Sequence, residues 1–401
     1  AVRQGGNETT GMIVGDLVNA ASRLQELAEP GSVFVGPTTY RAATNAIEFE
    51  LAGEHPVRGR EAPIATWRAI RVVAERGGRG RIEGIDPPFV GRIAELQLLK
   101  DVLGAVIQTG RSRLVSIIGE AGIGKSALVW ELRKYADGLA TEIFWNRGRS
   151  LSYGSEGVVY RAISDLLRGR LGVAEDDTTE VIAAALDETL DRFVTDAAER
   201  ARIRPWLGSL LGLGDSPEGD RSELDAAVRT FIEHMSTSGP TVLVFDDLHW
   251  GDVGLLDFVE QLPDWMPDSP VLIITVARPQ LLDRRTTWAS GRRGVISLRL
   301  GPIPDEFMQR LLEGVMGELE HDLKRDIVDR AAGVPLYAVE LTRALVGAGE
   351  TFKVEGKTSS HTDLERFGIP ETLQLLIGSR IDRLEPEEQA TLLDAAVLGH
   401  A

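Results

Sequence analysis

Residues 114–132 read LVSIIGEAGIGKSALVWEL and join three patterns in one short stretch. An apolar run of strand length leads into a glycine-rich turn, and the turn leads into apolar residues at helical spacing. Glycines at Gly119, Gly122 and Gly124 let consecutive backbone N–H groups turn inward around an anion. The N-terminal end of the following helix adds positive charge. The stretch therefore predicts a loop that cradles phosphate groups.

The spacing Gly119-x-x-x-x-Gly124-Lys125-Ser126 is that of a P-loop. In this pattern Lys125 reaches the β- and γ-phosphates of a nucleotide, and the Ser126 hydroxyl holds Mg²⁺. An ordinary glycine turn is the alternative, but a strand before the turn and a helix after it favour the nucleotide site. We expect ATP or ADP with Mg²⁺ as the ligands.

A second apolar stretch, TVLVFDD (241–247), ends in two aspartates. Asp246 is placed to bind Mg²⁺, directly or through water, and Asp247 to orient or activate the attacking water. Aspartate also favours the turns that follow strands, and a simple turn is the alternative for this pair. The neighbouring His249 and Trp250 are expected to pack or to form hydrogen bonds, and we assign them no chemistry.

Arg278 ends a third apolar stretch, VLIITVAR (271–278). A guanidinium at the carboxyl edge of a parallel sheet faces the phosphate side, where it would sense the γ-phosphate. A surface arginine before the turn at Pro279 is an equally weighted alternative.

Apolar strands alternate with helical patterns, which predicts an α/β fold with a parallel sheet covered on both faces. Four strands are predicted, at 113–119, 241–247, 271–278 and 295–300. A helix is predicted from Ile93 to Gly110, with Ile93 on its apolar face, and residues 150–237 are expected to be mostly helical. Within that region the patterns place Asp177 with Glu180 in a capping box and Ser222 at a helix cap. From about residue 303 onward the pattern is helical throughout.

Composition limits the classes of partner. The chain of 401 residues carries a formal net charge of -17, which argues against a dominant nucleic-acid surface. It has no cysteine and no apolar run long enough to cross a membrane. We therefore expect a cytoplasmic protein with no membrane partner and no direct nucleic-acid binding by this segment. Position 1 is not Met and the last residues lie in an apparent helix, so both ends are expected to be cut from something longer.

Several motifs resemble the STAND branch of AAA-like, P-loop ATPases, which are signal-transducing regulators. They are PPFVGRIAEL, VLVFDDLHWGD, ITVARP and AAGVPLYAVEL. The resemblance implies a nucleotide-binding P-loop NTPase domain at 88–302, a helical domain at 303–365 and the truncated start of a winged helix at 366–401.

The same resemblance implies roles for individual residues. Lys125 and Ser126 match the Walker A role, Asp246 the Walker B role and Arg278 the sensor arginine. Asp247 stands where motor AAA proteins usually carry Glu, which implies slow hydrolysis. The motif Gly333-Val334-Pro335 implies that Pro335 lies against the nucleotide.

Residues 1–74 read as a separate small α+β unit, followed by a Gly- and Pro-rich linker at 75–87. The stretches GDLVNAASRLQELAEPGSVFVGPTTYRAA and HPVRGREAPIATWRAI resemble the C-terminal part of a class III adenylate or guanylate cyclase domain. In that family an Asn-x-x-x-Arg pair, matched here by Asn19 and Arg23, positions the ribose and stabilises the pentavalent phosphorus. The alternative is that both are ordinary exposed helix residues.

This chain departs from the cyclase pattern. The two metal-binding aspartates of that family lie upstream of the matching segment and are not in the chain. Met12 stands where many members carry a purine-selecting polar residue, and Arg60 is a weak match to a phosphate-contacting lysine. A segment of this length cannot bury a complete cyclase core, so we do not expect cyclisation by this chain alone.

The leading hypothesis is a slowly hydrolysing ATP switch that regulates an attached cyclase or output domain. One alternative is the regulatory part of a cyclase whose main reaction converts ATP to cyclic AMP. Another is a nucleotide-binding scaffold without turnover. A small-molecule kinase is less favoured, and a motor, which would need an arginine from a ring neighbour, stays open. Expected partners are the nucleotide, a second copy through the cyclase-like or NTPase domain, and a signalling protein or ligand.

Overall fold

A computed structural model describes residues 24, 28, 32–37, 39–40, 47–55, 64–72, 87–150, 160–175, 177–214, 221–316 and 321–347. The chain divides into two compact units. The first comprises residues 1–85 and 136–140, and the second comprises residues 86–135 and 141–401.

The first unit contains an antiparallel three-stranded sheet. Its strands are β1 (Phe34–Val35), β2 (Ile47–His55) and β3 (Ile64–Val72), in the order β1-β3-β2. Tyr40 stacks on Trp67 with ring centroids 4.2 Å apart. Met12, Asn19, Arg23 and Arg60 lie outside the described residues.

The second unit is built on a parallel sheet, as predicted. Its described strands are β4 (Arg113–Gly119), β5 (Phe144–Arg149), β6 (Thr241–Asp246), β7 (Val271–Ala277) and β8 (Val295–Leu300). They lie in the order β5-β6-β7-β4-β8, with every neighbouring pair parallel. The sequence prediction missed β5, because its residues FWNRGR alternate with charge instead of forming an apolar run. The strand ending in Asp246 is thus separated from the P-loop strand by β7.

Helices cover the sheet and continue beyond it. They are α1 (Ile93–Thr109), α2 (Lys125–Asp137), α3 (Arg161–Leu171), α4 (Thr179–Phe193), α5 (Ala197–Leu210), α6 (Arg221–Ser238), α7 (Val253–Trp265), α8 (Gln280–Arg284), α9 (Asp305–Met316), α10 (His321–Ala331) and α11 (Pro335–Gly347). Across the ranges that the structure describes, no helix has the length and apolar character needed to span a bilayer.

Three local predictions about helices are wrong. Ile93 is 73% exposed, so the buried stripe of α1 begins at Leu99. Asp177 does not cap α4, because its carboxylate accepts the N–H of Ala174 and the hydroxyl of Thr178 takes the cap position. Ser222 lies inside α6, whose first residue is Arg221.

The last three helices form their own core beside the sheet. Met308, Leu312, Ile327, Ala338 and Leu341 are among its buried residues, and Val90 packs against it. Gly91 has φ +69°, and a Cβ there would lie 2.4 Å from Ile303 Cγ2, so the approach of this segment requires glycine. The predicted winged helix at 366–401 and the end of the predicted helical domain lie outside the described residues.

Candidate functional site

The P-loop joins β4 to α2 with two glycines in left-handed conformations. Gly122 has φ +76° and Gly124 has φ +98°, which residues with a Cβ rarely adopt. A Cβ on Gly124 would meet nothing within 4 Å, so this side of the backbone is open. A Cβ on Gly119 would lie 2.9 Å from the carbonyl oxygen of Leu300. The loop therefore combines tight packing at Gly119 with open space beside Gly124.

Lys125 is buried and turned toward the loop that precedes it. Its ammonium donates to the carbonyl oxygens of Gly119 at 2.7 Å and Glu120 at 2.8 Å. Burial lowers the pKa of Lys125 below its ordinary value, and the charge of Arg278 lowers it further. The carboxylates of Asp246 and Asp247, near enough to interact with the ammonium, oppose this shift. The structure thus brings together four of the residues singled out from the sequence.

Both aspartates are paired with arginines from β5. Arg147 donates to the carboxylate of Asp246, whose side chain is only 6% exposed. Arg149 Nε lies 2.8 Å from Asp247 Oδ2. Residues two apart on a strand share a face, so the two arginines line the same side of the sheet edge. They were missed from the sequence, where only the alternation Arg-Gly-Arg signals them.

Gly148, between these arginines, faces the opposite side. A Cβ at this position would lie 1.8 Å from the carbonyl oxygen of Ala162 in α3. The backbone of α3 therefore packs directly on β5. On one face of β5, the two arginines pair with the aspartates. On the other face, the absence of a side chain at Gly148 leaves room for α3.

Asp247 begins a sharp turn after β6. It has φ +51°, and a 3₁₀ turn over Leu248–Trp250 follows it. The N–H of Trp250 donates to the Asp247 carbonyl at 2.9 Å, which closes the turn. A left-handed non-glycine residue carries local strain, which in proteins concentrates at functional sites.

His249 is buried inside this turn. Burial lowers its pKa to about 4, with Asp247 opposing that shift and Arg278, Lys125 and Arg284 adding to it. Its Nδ1 accepts the backbone N–H of Arg278 at 3.5 Å, and its carbonyl accepts Arg284 Nη1 at 2.7 Å. The sequence prediction that His249 packs or forms hydrogen bonds agrees with these contacts.

The P-loop also touches the start of α11. Pro335 is the first helical residue, where a missing N–H costs nothing. The next N–H, of Leu336, donates to the carbonyl oxygen of Gly122 at 3.2 Å. A Cβ on Gly122 would lie 2.9 Å from Leu336 Cβ and 3.1 Å from Val334 Cγ1. The glycine-rich loop and the helical segment are therefore in direct contact.

Mg²⁺ fits the donor set at this edge of the sheet. Ser126 is in the first turn of α2, and Asp246 supplies a buried carboxylate. Within the described part of the chain, no cluster of three or more His, Cys, Asp or Glu side chains could hold a metal by itself. Magnesium suits such a sparse site, because it takes most of its ligands from phosphates and water.

The parallel sheet, the glycine loop and the strand-ending aspartate define a P-loop NTPase fold. Residues 88–274 match the protein family described as AAA ATPase domain. Over these residues the chain is therefore similar to AAA ATPase domains. The family match leaves residues 1–87 outside it, so the cyclase resemblance and the roles of Asn19 and Arg23 stay predictions.

Similar proteins include an uncharacterized protein from Rhizobium meliloti, 26% identical over 338 residues. The alignment covers 82% of this chain but 32% of that relative, so the chain spans about a third of its length. Among solved structures, the Aeropyrum pernix ORC1 protein in complex with DNA is 15% identical with a TM-score of 0.42, covering 79% and 75% of the two chains. A STAND protein with a tetratricopeptide repeat sensor from Pyrococcus horikoshii is 15% identical with a TM-score of 0.35, covering 72% and 34%.

Proposed function

We propose that the chain is a slowly hydrolysing ATP switch of the STAND type. The observation that carries the proposal is the hydrogen bond from Leu336 to Gly122, because it joins the phosphate loop to the helical segment. A ligand that reorganises the loop then biases the packing of α11.

Charge at the site supports a nucleotide ligand. Lys125 and Arg278 lie at the loop, and Arg147 and Arg149 lie across from it, against the acids Asp246 and Asp247. The four basic side chains of this set outnumber its two acids by two, although the whole chain carries a net charge of -17. An anionic ligand with bound Mg²⁺ complements such a surplus.

Each residue has a distinct task in the proposed mechanism. Phosphate oxygens replace the carbonyls of Gly119 and Glu120 as partners of Lys125. Ser126 and Asp246 would hold Mg²⁺, which neutralises charge on the phosphate oxygens when bound. Asp247 orients the attacking water, and its short carboxylate makes hydrolysis slow.

Arg278 and Pro335 complete the proposed site. Arg278 recognises the γ-phosphate, so it distinguishes ATP from ADP. Pro335 packs against the bound nucleotide and places α11 beside it. The helical segment then differs between the two nucleotide states, and the attached output, a cyclase or another domain of a longer protein, responds to that difference.

Released nucleotide and hydrogen exchange test this function. We would purify the full chain, denature it and identify the nucleotide by chromatography, with Lys125→Ala as the variant and Lys134→Ala as the control. Lys134 lies on the same helix, 54% exposed and paired with Glu131. We expect bound ATP or ADP in wild type and control but not in Lys125→Ala.

The switch itself is tested by comparing amide exchange with ADP and with a non-hydrolysable ATP analogue. Peptides covering Pro335–Gly347 should exchange at different rates in the two states. Binding of both nucleotides with identical exchange in this segment would contradict a switch.

A scaffold that binds nucleotide without turnover is the second candidate. It is favoured by the contact of Arg149 with Asp247, which occupies one oxygen of the proposed water-orienting carboxylate. Single-turnover measurement separates the two: hydrolysis that Asp247→Ala abolishes favours the switch. Absence of hydrolysis in wild type with nucleotide bound favours the scaffold.

A further inference from the structure

His249 connects the two segments that carry Asp247 and Arg278. It follows Asp247 by two residues, in the turn that closes over the Asp247 carbonyl. Its ring reaches the backbone of Arg278, and its own carbonyl holds Arg284 of α8. One buried residue therefore contacts the chain both before and after the turn at Pro279.

The backbone N–H of Arg278 determines which nitrogen of the His249 ring carries the proton. A backbone N–H only donates, so the ring nitrogen that faces Arg278 carries a lone pair. The ring proton of a neutral histidine then sits on Nε2, which is buried and has no hydrogen-bond partner among the described residues. A purely packing residue would avoid this desolvation cost, because an apolar ring fills the same space. A specific need for the Nδ1 acceptor explains why a polar ring stands here.

We propose that His249 is a positioning residue that fixes the backbone of Arg278 relative to Asp247. This inference rests on the proposed function, in which those two side chains meet the γ-phosphate and the attacking water. The His249 ring contacts the backbone that carries the Arg278 guanidinium. The same ring belongs to the turn that follows Asp247. One side chain therefore sets the distance between the guanidinium of Arg278 and the carboxylate of Asp247.

The separation of 3.5 Å between Nδ1 and the Arg278 nitrogen is longer than the ordinary range of about 2.7–3.2 Å for an N–H donor. Catalytic hydrogen bonds often tighten only in the complex with substrate. The contact is therefore expected to matter for turnover of ATP and little for the affinity of ADP, which lacks the γ-phosphate.

Two amide variants, which differ in where they place the polar group, test the proposal. His249→Asn keeps an acceptor at the Nδ1 position, whereas His249→Gln moves the amide one atom outward. We would measure single-turnover release of phosphate and the affinity of a fluorescent ADP for the full chain. We expect His249→Asn to keep turnover within about threefold and His249→Gln to lose roughly tenfold to a hundredfold, the cost of misplacing a group by about 1 Å. ADP affinity should stay within about twofold in both.

A double-mutant cycle adds a second readout. If His249 acts through Arg278, His249→Gln should slow an Arg278→Ala protein by no more than about twofold. Equal turnover of the Asn and Gln variants, or a parallel loss of ADP affinity, overturns the positioning role. A wild type that binds ADP and ATP equally and never hydrolyses overturns the proposed function itself, and the role of His249 with it.

Discussion

Gly122→Ala tests whether the P-loop and α11 act as one element. A residue with a Cβ in the left-handed region costs about 1–2 kcal/mol. The new Cβ also lies 2.9 Å from Leu336 Cβ and 3.1 Å from Val334 Cγ1, and such overpacking costs about 1–3 kcal/mol more. The free energy of unfolding is therefore expected to fall by about 2–5 kcal/mol.

Gly110→Ala is the matched control, because Gly110 has φ +64° and a Cβ there would meet nothing within 4 Å. Its free energy of unfolding should fall only by the cost of the left-handed backbone, about 1–2 kcal/mol. The difference between the variants isolates the contact between loop and helix.

Amide exchange locates this difference. Peptides covering Pro335–Gly347 should exchange about 5- to 150-fold faster in Gly122→Ala than in Gly110→Ala, which corresponds to about 1–3 kcal/mol. The same rates in both variants would refute the coupling of the P-loop to α11.

Three further predictions concern charge at the site. Nucleotide affinity should fall as pH rises through the lowered pKa of Lys125, because phosphate favours the protonated ammonium; the fall should begin below pH 10.5 and reach about tenfold per pH unit. Lys125→Arg should move that fall to higher pH in a fluorescence titration, and a pH-independent affinity in wild type would contradict the assignment. Arg147→Ala should cost roughly 1.5–3 kcal/mol by leaving buried Asp246 unpaired, whereas Arg149→Ala should cost about 0–1 kcal/mol because its pair is more exposed. Millimolar Mg²⁺ should raise the thermal unfolding midpoint of Arg147→Ala more than that of wild type, since the ion no longer competes with a guanidinium for Asp246; equal shifts would argue against metal binding by this carboxylate.

The parallel sheet could be predicted because its central strands are apolar on both faces. Six of the seven residues of β4 and all seven residues of β7 are buried, so the sequence shows continuous apolar runs. The glycine pattern of the P-loop was equally readable, because its chemistry lies in one contiguous segment.

The features that could not be predicted depend on contacts that no sequence pattern shows, most of them between distant segments of the chain. Among the described strands β5 lies at the edge of the sheet, and its arginines pair with acids at the end of β6, about a hundred residues further along the chain. The N-cap of α4 is Thr178, one residue after the predicted Asp177, because the Asp177 carboxylate accepts the N–H of Ala174 instead. The link from Leu336 to Gly122 joins segments more than two hundred residues apart, and no local pattern encodes it.

The strand order has a consequence for the length of the ligand. Asp246 ends β6, the P-loop follows β4, and β7 with Arg278 at its end lies between them. Two strand spacings separate the loop from the carboxylate, roughly 10 Å. If the loop holds the first two phosphates of a nucleotide, we expect the third phosphate to extend along this edge of the sheet toward Arg278, so that ATP and ADP differ mainly in their contact with that residue.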